Sequence, residues 1–196
     1  MLNLIKECSG KKVLVVVAHH DDESLFCGGL LTEISGKCDL TIMCVHQYFK
    51  YRNNAEKWND AFKKIDTVIR AKLVQGDAVP HKADDYFDAY FTVPHNYYKI
   101  KDMVQKVVDE INPDVIISHN QVGEYGHVDH VLVSYAVSKL TGSHKSYKFG
   151  TGIKKTDTKV IYDKKKKKRL IGLYEQFWHP LDKGYRFVFK DERYIV

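Results

Sequence analysis

The chain has 196 residues, 44% of them hydrophobic, with a formal net charge of +6 and a pI near 8.9. That length closes one sizeable core and is short for two, so a single domain over residues 1–196 is expected. Much of the positive excess sits in Lys164 to Arg169, and without that run the remainder is balanced. The run reads first as a solvated helix face, and second as an attraction for phosphate-bearing substrates or peripheral association with an anionic membrane. No aromatic RNA-binding signature or helix-turn-helix pattern accompanies it, and no nucleic-acid partner is expected.

Lys6, Glu7, Lys11 and Lys12 interrupt the N-terminus and leave no apolar stretch for a signal peptide. The run Val13 to Ala18 is far shorter than the roughly 20 residues of a membrane span. A soluble, cytoplasmic protein is therefore expected. The four cysteines, Cys8, Cys27, Cys38 and Cys44, form no C-x-x-C pair and read as buried thiols.

In chain order, Lys12 to Ala18 is apolar and β-branched without alternation, the pattern of a strand covered on both faces. Glu23 to Ser35 spaces Leu25, Phe26, Leu30, Leu31 and Ile34 for one helix face, ending at Gly36. Asp39 to His46 reads as a strand, Asn54 to Arg70 as an amphipathic helix, and Ala71 to Val74 as a short strand. This βαβα rhythm predicts an α/β three-layer sandwich around a mostly parallel sheet. His81 to Tyr98 is tyrosine-rich and reads as an irregular surface excursion. A helix follows over Ile100 to Ile111, stopped by Asn112-Pro113.

Val115 to His119 is a second buried strand, followed by a loop from Asn120 to Gly126 and a helix from His127 to Leu140. Beyond Thr141 the expected elements are a strand over Lys159 to Tyr162, a helix over Lys164 to Phe177 and a closing strand over Tyr185 to Lys190.

Two polar clusters occupy the ends of the two buried strands. His19-His20-Asp21-Asp22-Glu23 follows the first, and Gly123-Glu124-Tyr125-Gly126-His127-Val128-Asp129-His130 lies beyond the second. In open α/β sheets that carboxyl edge is where ligands bind, so both clusters face one rim. His127 and His130 share a helix face, and with a histidine and carboxylates from the first loop they make a two-histidine, one-carboxylate set. Three such ligands with a fourth position left to water are the chemistry of a catalytic zinc. Each cluster alone is ordinary, the first as a helix cap and the second as a helix start. Together they hold too many buried polar groups to be left without a metal or hydrogen-bond partners.

Ala18-His19-His20-Asp21-Asp22-Glu23 and His127-Val128-Asp129-His130 resemble the two signatures of the LmbE-like and PIG-L-like N-acetylglucosaminyl deacetylases. The resemblance covers about Lys12 to Leu140. It implies a Rossmann-like fold, zinc or another divalent transition metal, and hydrolysis of the acetamide of an N-acetylated amino sugar. On matching positions it makes His19, Asp22 and His130 the metal ligands and Asp21 the general base. It makes His127 the group that stabilises the oxyanion and, as a cation, protonates the amine, with Asp129 orienting His127 and Tyr125 adding an oxyanion contact. Spacing alone does not tell Asp21 from Asp22. The relatives are often multimeric, which implies a homo-oligomer.

The chain departs from the family pattern at Val128, usually proline, and at His20, which also replaces a proline and reads first as a tolerated substitution, and otherwise as a substrate contact or an extra metal ligand. Its tail lacks the family's Tyr-x-Ser-Gln. Arg52 falls near an arginine of the family that precedes the next helix and is a further substrate-contact candidate. Two other readings remain: a metal-dependent hydrolase of another amide or ester bond, and a non-catalytic Rossmann-like module. The second expects Gly-x-Gly-x-x-Gly after the first strand, where this chain has His19-His20-Asp21-Asp22.

Overall fold

β1 (Lys12–Val17) is the hub of the molecule, because both of its faces and both of its edges are covered. The computed structural model of the chain describes residues 3–47, 55–78, 86–150, 158–174, 177 and 192–195. Val13, Val15 and Val17 pack on one face of the sheet with Cys27, Leu30, Leu31 and Ile34 of α2 (Asp22–Ile34), Leu4 and Cys8 of α1 (Leu4–Cys8), and Phe62 of α3 (Ala55–Lys63). Leu14, Val16 and Ala18 pack on the other with Ile100, Val104 and Val108 of α4 (Tyr86–Ile111) and Leu132, Val133 and Ala136 of α6 (Val128–Ser138). Period-two alternation thus feeds two separate cores, which is why the strand reads as continuously apolar.

The strands run in the order β3-β2-β1-β4-β5-β7-β6. β2 (Asp39–His46), β3 (Lys72–Ala78), β4 (Val115–Ser118) and β5 (Lys145–Phe149) are parallel to β1 through their pairings. β7 (Glu192–Ile195) is antiparallel to β5 and to β6 (Thr158–Val160). The product is a single α/β domain with a mostly parallel seven-stranded sheet between helical layers. Chain order reverses between β1 and β4, so a crevice opens at their carboxyl ends.

Several expectations are corrected. The excursion expected over His81 to Tyr98 is, from Tyr86 onward, the first half of α4, one helix ending at Ile111. The helix expected over Asn54 to Arg70 is α3 followed by a 3₁₀ turn over Lys64–Thr67, and the strand expected to stop at Val74 continues to Ala78. α1, β5 and the one-turn α5 (Gly123–Gly126) inside the expected loop add to the expected elements, and the helix after Lys164, α7 (Lys164–Gly172), ends before Phe177. Tyr185 to Lys190 and Arg52 lie outside the described residues. No described helix is long and apolar enough to cross a membrane.

The lysine run is only partly a solvated face. Lys164, Lys165, Lys166, Lys168 and Arg169 are exposed, but Lys167 is 2% exposed and pairs with Glu192 at 2.7 Å. Lys167 also donates to the Leu25 carbonyl, and Glu192 accepts from the backbone N–H groups of Gly29 and Leu30. This buried pair fastens α7 and β7 to the middle of α2. Gly29 makes the approach feasible, since a Cβ there would lie 2.3 Å from the Tyr162 ring.

Candidate metal centre

The metal-ligand candidates come from the two loops that flank the crevice. β1 delivers His19, α2 opens with Asp22, and the first turn of α6 presents His130. His19 Nδ1 and His130 Nε2 are 3.2 Å apart, and Asp22 Oδ2 is 3.4 Å from each. All three residues are nearly fully buried, at 6%, 3% and 0% exposure for His19, Asp22 and His130. Zinc bound tetrahedrally at roughly 2.0–2.1 Å from its ligands spaces them roughly 3.3 Å apart. The three atoms therefore fit one triangular face of such a site, with the fourth corner left over.

Hydrogen bonds to the far side of each imidazole define which atoms face inward. His19 Nε2 lies 2.9 Å from Asp129 Oδ2, and His130 Nδ1 lies 2.7 Å from Glu124 Oε2. A carboxylate only accepts, so those nitrogens carry protons and the lone pairs of the neutral rings point at Asp22. Burial lowers the His19 pKa, but hydrogen bonds to Asp129 and Asp22 outweigh it and hold the ring at about 9. In the absence of metal a proton on His19 supplies the positive charge that these acceptors require. Burial likewise works against the Asp22 carboxylate, and the surrounding histidines, His130 first, keep its pKa well below the usual range.

Three overlapping groups, His19/His127/His130, His19/His46/Asp129 and Asp22/His119/His130, also bring ligand atoms within 4.8 Å of one another. His119 Nε2, 3.4 Å from Asp22 Oδ2, accepts the Ala18 N–H at 3.0 Å and has no second lone pair to give. His46 Nδ1 donates to the Ala18 carbonyl at 3.0 Å, and its ring stacks on His19 with centroids 5.4 Å apart.

Asp21 caps α2 in the left-handed region, at φ 94, a conformation costly for a residue with a side chain. Its carbonyl accepts the N–H groups of Ser24 and Leu25, which start the helix and set Asp22 into the crevice. His127 is half-buried and serves as the N-cap of α6, its Nδ1 accepting the Asp129 N–H at 3.3 Å. Burial, and then the neighbouring His19 and His130, push its pKa down to about 3. With Nδ1 accepting the Asp129 N–H, the neutral ring carries its proton on Nε2. The Asp129 carboxylate, expected to orient His127, lies 2.9 Å from His19 Nε2, while the Asp129 backbone N–H donates to His127.

Tyr125 is 70% exposed, with its ring 5.9 Å from His127 and 5.4 Å from His130, so it stands at the solvent side of the cluster. His20 is fully buried, with Nε2 2.6 Å from Gln75 Oε1 and its ring against Phe62. With no exposed surface it offers a substrate no contact. Glu124, His119 and His46 carry hydrogen bonds of the site that the motif reading did not assign. A carboxylate within six residues of a ligating histidine was the available signal for Glu124.

The family model PIG-L, GlcNAc-PI de-N-acetylase, matches residues 14–141. The uncharacterized protein L374 of Acanthamoeba polyphaga mimivirus is 27% identical over 124 residues, covering 62% of this chain and 54% of that protein. The chain thus spans about half the length of this curated relative. Among solved structures, the deacetylase–teicoplanin complex of the teicoplanin biosynthesis pathway is similar with a TM-score of 0.68 and 12% identity, over 93% of this chain and 98% of that one. The zinc-inhibited form of teicoplanin deacetylase Orf2 gives 0.60 and 10%, over 93% and 97%. The 4-carboxy-2-hydroxymuconate hydratase GalB of Pseudomonas putida KT2440 gives 0.57 and 17%, over 91% and 82%. At these identities the likeness is one of fold, and that fold carries both a deacetylase and a hydratase.

Proposed function

The chain belongs to the PIG-L family, GlcNAc-PI de-N-acetylase, and from that premise we propose that it is a zinc-dependent hydrolase removing the acetyl group from an N-acetylated amino sugar. The observation that carries the reading is the triangle of His19 Nδ1, Asp22 Oδ2 and His130 Nε2, with sides of 3.2 to 3.4 Å. A zinc ion held by those three side chains supplies a Lewis acid and lowers the pKa of water toward about 7.

The chain's own groups do the rest. Asp21, beside the ligand Asp22, accepts the proton that the attacking water gives up. Oxygen adds to the acetyl carbon, and the negative charge moves onto the former carbonyl oxygen. His127 meets that charge with its Nε2–H, because its Nδ1 is committed to the Asp129 N–H. The Tyr125 hydroxyl adds a second donor from the solvent side. The C–N bond then breaks, the amine leaves with the proton passed back from Asp21, and acetate remains.

Five exposed cations on α7, Lys164, Lys165, Lys166, Lys168 and Arg169, favour a phosphate-bearing substrate such as a nucleotide sugar or a lipid-linked glycan. Acetate release from the zinc-loaded chain, followed across N-acetylglucosamine, its nucleotide conjugate and its phosphatidylinositol conjugate, tests both parts. The reading requires hydrolysis of at least one, with the charged conjugates turned over faster than the free sugar. Cleavage of phosphate esters with all acetamides left intact would overturn it.

A further inference from the structure

Glu124 accepts three hydrogen bonds at once. Oε2 accepts from Nδ1–H of His130 at 2.7 Å and from Nδ1–H of His119 at 2.8 Å, while Oε1 accepts the Asn120 N–H at 2.9 Å. The proton positions on His119 follow from the opposite side of its ring. Nε2 takes the Ala18 N–H, so the proton is on Nδ1 and points at Glu124. A continuous set of hydrogen bonds thereby runs from the end of β1 through His119 and Glu124 to His130, and the His119 and His130 rings stack with centroids 4.0 Å apart.

The backbone is shaped to make this bond. Glu124 sits at φ 57 and ψ −59, a conformation in which a glycine would be at ease and a glutamate is strained. Its side chain is only 5% exposed. The next residue is Tyr125, so the bend that turns Glu124 inward also turns Tyr125 outward.

We propose that Glu124 is a positioning residue of the metal centre, fixing the tautomer and ring orientation of His130 so that its Nε2 lone pair stays directed at Asp22 and His19. The inference rests on the metal reading above and adds a residue to it. Without the carboxylate, His130 can carry its proton on Nε2 or turn its ring, and either change removes a ligand atom from the triangle. His119 serves as the brace between Glu124 and the backbone of β1, and is not itself a ligand.

Glu124→Gln keeps the shape and removes the charge, leaving one oxygen where two imidazole N–H groups and a backbone N–H need acceptors. Glu124→Gly removes the carboxylate while relieving the backbone, and keeps the test open should the glutamine variant not fold. Zinc affinity is measured by competition with a chromophoric chelator, and ligand geometry by the visible spectrum of the cobalt-loaded protein. The expected result is a 10- to 100-fold loss of zinc affinity in both variants with a changed cobalt spectrum, while the unsubstituted chain binds one ion. Unchanged affinity and spectrum in folded variants would overturn the positioning role and leave the metal reading intact. No metal on the unsubstituted chain would overturn the metal reading and this inference with it.

Discussion

His19 Nδ1 and His130 Nε2 stand 3.2 Å apart although 111 residues separate them in the chain. Two imidazole nitrogens and the Asp22 oxygen can remain that close only with a positive charge at the site. A proton on His19 or a divalent ion can meet that demand, and the two compete.

That competition gives a pH dependence with a definite sign. In protein stripped of metal, burial lowers the His19 pKa but hydrogen bonds to Asp129 and Asp22 raise it to about 9, against about 6.5 in the unfolded chain. The proton's contribution to stability is fully present below about pH 6.5 and is lost as the pH rises through about 9. Thermal unfolding of the stripped protein should show a falling midpoint across that window. Zinc must displace the same proton, so its affinity should rise over the same interval with release of about one proton at pH 7. Calorimetric titration in buffers of different ionisation heat counts it, and a release near zero would contradict the assignment.

Asp21 at φ 94 dictates how its role is to be tested. Alanine at that position would add backbone strain to the loss of the carboxylate, whereas asparagine tolerates the left-handed region. Asp21→Asn should keep its metal and its melting midpoint within a few degrees, yet lose about 10²- to 10⁴-fold in turnover. Near-normal acetate release would remove Asp21 from the role of base.

The tie between α2 and the C-terminal segment predicts a stability effect away from the chemistry. Lys167 and Glu192 are both buried and paired at 2.7 Å, so removing one partner strands the other. Lys167→Met should cost about 3–5 kcal/mol, and the double change with Glu192→Leu should cost less than the sum of the two singles. Urea denaturation of the four proteins measures the coupling. The neighbouring Lys166→Met, on an exposed side chain, should shift stability by no more than about 0.5 kcal/mol.

Gly29 offers a sharper version of the same test. A methyl group there would meet the Tyr162 ring at 2.3 to 2.6 Å. Gly29→Ala should therefore destabilise by about 1–3 kcal/mol, despite alanine's better helix propensity. A variant as stable as the parent, judged by its denaturation midpoint, would mean that Tyr162, just ahead of α7, is not held against α2.

The parts of the fold that were legible in sequence are those where one physical rule acts alone. β1 and β4 are flanked by helices on both faces, and that shows as uninterrupted Val, Ile and Leu. α2 and α6 follow them with apolar spacing and begin within the polar clusters. The first half of α4 was missed because Tyr86 to Tyr98 contains Pro94 and closely spaced aromatics, so no clean period of 3.6 stands out. β5 was missed because only Tyr147 and Phe149 of its five residues are buried, a weak alternation among lysines. Within the site, the side chains of the two motifs converge at one rim, but their partners depended on tertiary geometry. Nothing in the local spacing says that Asp129 reaches His19, or that a glutamate at φ 57 turns back to clasp His119 and His130. Lys167 resembles its five cationic neighbours in the sequence, and its buried contacts with Glu192 and the Leu25 carbonyl set it apart.

Zinc-edge X-ray absorption on the metal-loaded chain, alongside His130→Ala, tests the central claim most directly. The account predicts one ion per chain, with two imidazole nitrogens at about 2.0–2.1 Å, oxygen ligands completing the shell and no sulfur, and no comparable site in the variant. A shell containing cysteine sulfur, a third imidazole, or full occupancy in His130→Ala would contradict it.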